Sequence, residues 1–171
     1  MRNIGCFKTG PPFFHPVHRP VSVLPQDRDV LATAFLLYTR KNNQLFQFLR
    51  AGDIASVLES NFLLETETKI IIPGWFDNLK VSTWMLDMKD ALLNYRDCNV
   101  IIVDWSKANG IPFAQAVANT RVVGAEVALL VNFLQDTFGV SPESCHIIGH
   151  SLGTEIAGYA GERINRLGRI T

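Results

Sequence analysis

Three short runs of apolar, mostly β-branched residues constrain the fold of this chain more than any other feature. Residues 70–72, 100–103 and 145–148 are each short enough for a strand and apolar enough to be buried on both faces. Helical patterns separate them: residues 82–95 repeat apolar side chains with helical period, and residues 112–139 form a long apolar segment between a proline and a glycine. Strands that alternate with helices predict a parallel sheet with right-handed crossovers, an α/β fold.

The N-terminal part of the chain differs in character. Residues 1–31 are rich in proline, glycine and charge, and we expect an extended arm. Residues 32–40 and 45–49 read as two strands that could add an antiparallel edge to the sheet. Asp53 is placed to cap a short helix. The sequence therefore predicts two segments, the arm over 1–31 and an α/β domain over 32–171.

Charge balance limits the classes of partner. Sixteen basic residues balance sixteen acidic ones, which argues against a nucleic-acid-binding surface and against a strongly basic membrane patch. No uninterrupted apolar run reaches the roughly 18 residues of a membrane span, so no transmembrane segment is predicted. The first residues contain no apolar run of signal-peptide length either.

The three cysteines are Cys6, Cys98 and Cys145. An odd number leaves at least one thiol free or paired with a cysteine outside the chain. Their spacing contains no CxxC motif and no cluster with histidine, so we predict no metal site and no cofactor. Cys98 and Cys145 lie in or beside predicted buried strands, and we expect both to be buried structural thiols.

The strand at 145–148 leads directly into a Gly-x-Ser-x-Gly motif. The motif is Gly149, His150, Ser151, Leu152 and Gly153, and a helical pattern follows it. A strand, a sharp turn and a helix are what a nucleophile elbow requires, and they make the serine a candidate nucleophile. Such a turn is strained and leaves no room for neighbouring side chains, which explains the two glycines.

The first backbone N–H groups of the following helix lie beside the candidate serine. The N–H of Leu152 and the helix dipole could therefore stabilise an oxyanion. A second donor is expected from a loop after an earlier strand. Pro73, Gly74 and Trp75 end the strand at 70–72, and the N–H of Trp75 is the candidate. Two alternatives stay open: a glycine-rich turn with an incidental serine, and a plain Pro-Gly turn with Trp75 as packing.

Serine catalysis also needs a base and an acid that orients the base. In this type of fold both follow the serine in the chain. After the serine the sequence offers Glu155 and Glu162 but no histidine. His150 adjoins the serine at a turn where side chains diverge, and His146 lies on the strand. Neither is a credible general base.

Several segments taken together resemble one family. In chain order they read GCFKTGPPF, IIPGWFDN, NVIIVDW, NTRVVGAEVA, HIIGHSLG and GRIT. This series is similar to the animal pancreatic-lipase family, which includes lipoprotein lipases and secreted phospholipases of the A1 type. The resemblance covers nearly the whole chain, and several motifs in order are far more specific than the serine pentapeptide alone.

The resemblance implies an α/β-hydrolase fold, truncated here to a mostly parallel sheet with flanking helices. It also implies a secreted enzyme that hydrolyses lipid esters, triacylglycerol or phospholipid, at an interface. Ser151 would be the nucleophile, and the N–H groups of Trp75 and Leu152 would form the oxyanion hole. The family's acid would come just after Thr171 and its histidine later, so we expect an N-terminal fragment that is inactive alone. Cys6 would pair with a cysteine upstream, where the signal peptide would also lie.

Two departures from the family pattern matter. Pro73 stands where the family usually has histidine, so a backbone N–H and an imidazole are both lost from the loop before Trp75. Phe113 stands where a tyrosine is common near the site. Asp104 lies in the family's Val-Asp-Trp segment, and we expect it to be structural rather than the triad acid. The alternative function is a non-catalytic family member that binds lipid or protein.

Overall fold

A computed structural model describes residues 4–18 and 20–171. In chain order the helices and strands are α1 (Arg28–Leu31), β1 (Ala34–Tyr38), β2 (Gln47–Leu49), α2 (Ile54–Leu58), β3 (Thr68–Ile72), α3 (Trp84–Tyr95), β4 (Asn99–Asp104), α4 (Phe113–Phe138), β5 (Cys145–Gly149), α5 (Leu152–Gly161) and β6 (Arg169–Ile170). From β3 onwards strands and helices alternate, as the apolar runs predict.

The strands form one six-stranded sheet in the order β2-β1-β4-β3-β5-β6. Strands β3 to β6 run parallel, while β1 is antiparallel to both β2 and β4. This confirms the mixed α/β fold with an antiparallel edge, as expected for an α/β-hydrolase sheet. Ile71 sits in register with Ile102 on one side and Ile148 on the other. The carboxyl ends of β3, β4 and β5 therefore meet at one edge, where ligands bind in open α/β sheets.

Helices cover both faces of this sheet. Helices α4 and α5 pack on one face over the larger apolar core, and α3 packs on the other over a smaller one. Gly124 on α4 makes the close crossing of α4 and α5 possible, because a Cβ there would come within 2.6 Å of the Tyr159 Cβ. The helix that follows the motif is thus locked against the central helix of the domain.

Helix α4 is long enough to cross a membrane. Its most apolar 18-residue window has a mean hydropathy of 1.4, although charged and polar residues interrupt the apolar run. Yet 78 % of that window is buried inside the protein. The helix is apolar on most sides because β-strands and α5 surround it, as in the core helix of a globular domain.

The described part of the arm contains no helix before residue 28, and its backbone turns at residues 10–13 and 16–18. Residues 28–31 form the short helix α1, so the expectation of an extended arm over 1–31 is wrong there. The helix forms because Leu31 is fully buried in the core and Arg28 reaches Glu126 on α4. Further upstream, the backbone N–H of Gln26 donates to the Asn119 side chain at 3.0 Å. Residues 1–3 and 19 of the predicted arm lie outside the described residues.

The cysteines divide as expected. Cys98 and Cys145 are buried, and Cys6 is exposed. Burial raises the pKa of the Cys145 thiol to about 11 and also raises the pKa of Cys98. A thiol with a raised pKa is a poor nucleophile, so both are structural residues, Cys145 in β5 and Cys98 directly before β4. The pairing of Cys6 with an upstream cysteine stays a prediction.

Arg28 and Glu126 form an ion pair between the arm and the core. One guanidinium nitrogen donates to Oε2 at 2.8 Å, and Nε lies 2.7 Å from Oε1. Burial raises the pKa of Glu126 above its ordinary value of 4.5, and the charge of Arg28 opposes that rise. A carboxyl with a raised pKa contributes most stability when protonated, and that contribution declines as the pH rises through its pKa in the folded state.

We expect Arg28→Met to destabilise the fold by about 2 to 3 kcal/mol at neutral pH. This loss of stability is smaller than the loss expected when a fully buried ion pair is broken, because the Arg28 side chain is 31 % exposed. The difference in the free energy of unfolding between the parent and Arg28→Met should shrink as the pH falls toward 4, because Glu126 then takes up a proton. Denaturant unfolding from pH 4 to 8 measures it. Arg50→Met is the control: its pair with Asp53 is exposed, and a comparable loss there would contradict the prediction.

Candidate active site

The candidate nucleophile lies at the turn between β5 and α5. Ser151 has φ 52° and ψ −124°, a conformation that few residues other than glycine adopt. Such backbone strain costs on the order of 1–3 kcal/mol and persists only where the surrounding structure enforces it. The side chain is exposed at the carboxyl edge of the sheet. A strained, exposed serine in this position has the geometry of a nucleophile elbow.

The two glycines of the motif lie where no side chain fits. A Cβ on Gly149 would stand 2.5 Å from the carbonyl oxygen of Gly153. A Cβ on Gly153 would stand 2.1 Å from the carbonyl oxygen of Ile72, on the neighbouring strand. Both clashes are with backbone, which cannot move without separating α5 from the sheet. The glycines thus permit the tight turn that presents the serine.

The loop after β3 lies directly against this turn. A Cβ on Gly74 would come within 2.6 Å of the Ser151 Cβ and 3.2 Å of its Oγ. The indole of Trp105 donates to the carbonyl of Pro73 at 2.9 Å, so proline at this position is compatible with an anchored loop. The loop therefore brings its backbone to the serine, as an oxyanion hole requires.

The two candidate oxyanion donors are unengaged. Within the described residues, neither the N–H of Trp75 nor that of Leu152 donates a hydrogen bond, and the Ser151 hydroxyl has no hydrogen-bond partner. The N–H of Leu152 lies in the first turn of α5, where no carbonyl of the helix can accept it. Both amides are therefore free to donate to a ligand oxygen.

Comparison with known proteins identifies the family to which this chain belongs. The lipase family model matches residues 1–171. The chain belongs to the lipase family. It is 43 % identical over 169 residues to pancreatic triacylglycerol lipase of Myocastor coypus and 41 % over 170 residues to pancreatic lipase-related protein 2 of Mus musculus. It is also 41 % identical over 168 residues to inactive pancreatic lipase-related protein 1 of Canis lupus familiaris.

The matched regions include almost all of this chain but only part of each relative. The matched residues make up 98 or 99 % of this chain. The chain spans 35 or 36 % of the length of these relatives. The match therefore establishes the family, and the activity of the whole protein is a matter for proposal.

The two histidines near the serine of this lipase-family chain are engaged elsewhere. His150 Nδ1 lies 3.1 Å from Asp77 Oδ2, and its ring packs against Trp84. His146 Nε2 lies 3.0 Å from the Thr171 hydroxyl, and burial together with nearby cations lowers the pKa of His146. Neither makes a hydrogen bond to the serine hydroxyl. Asp104 accepts the N–H of Ser106 at 3.0 Å, a structural contact.

Asp77 and Asn109 are the site residues that sequence reasoning missed. Asp77 accepts the N–H of Gly74 at 3.0 Å and the hydroxyl of Ser82 at 2.7 Å. Burial acts to raise the pKa of Asp77, but its hydrogen bonds from Ser82, Gly74 and His150 prevail and lower it. The carboxylate thus ties the loop, the elbow and the start of α3 together. No motif signals this role, because its partners are up to 73 residues away.

Exposed aromatic side chains cluster around Trp75, on the loop that lies against the serine. Trp75, Phe76 and Phe113 are all at least 39 % exposed. The Trp75 ring packs against Phe113 with centroids 5.1 Å apart, and its indole N–H donates to the Gly110 carbonyl at 3.0 Å. Among the residues that the structure describes, no group of three or more His, Cys, Asp or Glu side chains could hold a metal ion.

Proposed function

We propose that the protein containing this chain is a serine hydrolase of carboxylic esters in lipids, triacylglycerol or phospholipid. We place its action at a lipid surface outside the cell. The observation that carries the proposal is the strained conformation of Ser151, with the unengaged amide of Leu152 next to it in the chain and the loop that carries the unengaged amide of Trp75 packed against it. Strain of this kind has no structural use at a plain turn, where glycine would serve without cost.

In the proposed reaction, the Ser151 oxygen attacks the ester carbonyl carbon and gives its proton to a base. The carbonyl oxygen becomes an oxyanion that accepts hydrogen bonds from the N–H groups of Trp75 and Leu152. The intermediate collapses, the protonated base gives its proton to the leaving alcohol, and an acyl-serine remains. Water, deprotonated by the same base, then releases the fatty acid and restores the serine. We place that base and its acid outside this chain.

The surface around the serine supports a lipid substrate. Trp75, Phe76 and Phe113 expose aromatic rings beside the serine, and Ile111 is exposed next to them. Exposed apolar groups in one place mark a site for an apolar partner. Fatty-acyl chains match such a surface better than a small polar ester does.

Hydrolysis of triacylglycerol emulsions and of phospholipid vesicles by the full-length protein tests the proposal. We expect Ser151→Ala to lower kcat by at least about 10³-fold, because it removes the nucleophile. Ser141→Ala is the control, since Ser141 is an exposed serine at a separate turn. Activity that survives Ser151→Ala would overturn the proposal.

A non-catalytic, lipid-binding role is the second candidate. It is favoured by two relatives whose names describe them as inactive and by Pro73 in the loop beside the serine. For this role we expect the full-length protein to bind phospholipid vesicles while hydrolysing neither substrate. Binding without turnover in the parent protein would select it over the hydrolase.

A further inference from the structure

Asn109 makes three hydrogen bonds to the loop that follows β3. It lies between β4 and α4 and is only 3 % exposed. Its side-chain Nδ2 donates to the carbonyl of Gly74 at 2.9 Å and to that of Asp77 at 2.7 Å. Its own backbone carbonyl accepts the N–H of Phe76 at 3.1 Å. These bonds fall on both sides of Trp75, whose N–H is left free.

The peptide between Gly74 and Trp75 is oriented by this arrangement. In a trans peptide the C=O and the N–H point in opposite directions. Because the Gly74 carbonyl points at Asn109, the N–H of Trp75 points away from Asn109. Gly74 itself lies against Ser151, with its Cβ position 3.2 Å from the serine Oγ. The N–H of Trp75 is thus left free, next to the serine, by a side chain that bonds the carbonyl of the same peptide and makes no hydrogen bond to Ser151.

We infer that Asn109 is a positioning residue for the oxyanion hole: it holds the peptide whose N–H stabilises the oxyanion on Ser151. The inference rests on the proposed function, since it assigns a role in the same reaction. Asn109 acts through the Trp75 amide and touches no reacting atom. Asp77 holds the same loop from the other side through the Gly74 N–H.

A positioning role predicts a particular kinetic signature. Misplacement of a donor by about 1 Å can lower the rate about 100-fold. An oxyanion donor acts on the transition state more than on the bound substrate. Asn109→Ala should therefore lower kcat by about 10- to 100-fold and change KM by less than about threefold.

Asn99 provides a matched control. It is also a fully buried asparagine, and its side chain bonds the N–H and the carbonyl of Leu63, each at 2.8 Å. It lies at the start of β4, at the opposite edge of the sheet from Ser151. Asn99→Ala should destabilise the protein as Asn109→Ala does, because both leave buried partners unsatisfied. It should leave kcat within about threefold of the parent value.

The experiment compares Asn109→Ala, the near-isosteric Asn109→Asp and Asn99→Ala in the full-length protein, on a soluble ester at saturating and limiting concentrations. The temperature of unfolding is measured for each. The expected result is a loss of kcat in both Asn109 variants and none in Asn99→Ala. Affinity for a boronic acid that mimics the tetrahedral intermediate should fall with kcat in the Asn109 variants alone.

Three results would overturn the inference: unchanged kcat in the Asn109 variants, a rise in KM with kcat intact, or equal losses in Asn99→Ala. If Asn109→Ala does not fold, Asn109→Asp decides by the same criteria. Failure of both to fold would assign Asn109 to the stability of the domain and overturn the inference. Ser151→Ala in the parent background separates the two proposals, since residual activity there overturns the proposed function itself.

Discussion

Gly153→Ala will destabilise the domain by about 3 kcal/mol or more and remove the activity. The new Cβ would stand 2.1 Å from the Ile72 carbonyl oxygen and 3.0 Å from that of Pro73. Both are backbone atoms of the strand and loop beside the serine, so relief requires α5 to move away from β3. Overpacking of this kind commonly costs about 1–3 kcal/mol, and backbone clashes lie at the upper end or beyond. Denaturant unfolding with a fixed m-value measures it.

Gly158→Ala is the matched control on the same helix. Gly158 is exposed, and nothing lies within 4 Å of its Cβ position. Alanine should therefore stabilise α5 by roughly 0.5–1 kcal/mol, because it favours the helix more than glycine does. Equally small changes in the free energy of unfolding for Gly153→Ala and Gly158→Ala would contradict the close packing of the elbow against β3.

Ser151→Gly will stabilise the protein by about 1 kcal/mol while lowering kcat at least about 10³-fold. Glycine adopts φ 52° without strain, and relief of roughly 1–3 kcal/mol outweighs its larger entropy in the unfolded chain. Ser151→Ala should lose the activity equally but gain no stability, since alanine keeps the Cβ that causes the strain. Thermal unfolding and ester hydrolysis of the two variants, measured side by side, separate the effects.

Ser141→Gly provides the comparison for this gain in stability. Ser141 has φ −72°, where serine is unstrained, so glycine there should be neutral or destabilising by up to about 1 kcal/mol. A gain at Ser141 as large as at Ser151, or a loss at Ser151, would show that the elbow stores no strain.

Local patterns in the sequence were sufficient for most of the parallel sheet. Strands β3 and β4 follow from short, fully apolar runs, and β5 from a run interrupted only by His146, all of them typical of buried strands. The close approach of Gly153 to β3 follows from the motif, because a strained turn excludes side chains. In each of these cases the decisive information lies within a few neighbouring residues.

Long-range polar contacts could not be predicted from local sequence patterns. Helix α1 forms around an ion pair whose partners are 98 residues apart, and Asn109 reaches a carbonyl 35 residues earlier in the chain. Asparagine and arginine at such positions look like ordinary surface residues, since one-dimensional patterns record periodicity and not partners. The anchoring of Pro73 by Trp105 is likewise visible only in three dimensions.

Covalent trapping tests the central claim, that Ser151 is an activated nucleophile, most directly. The folded full-length protein is treated with a fluorophosphonate, and mass spectrometry of the peptides locates the adduct. We predict one phosphonylated residue, Ser151, with no adduct after prior unfolding or in Ser151→Ala. An unlabelled Ser151 in the folded protein, or an adduct at another serine, would contradict the account.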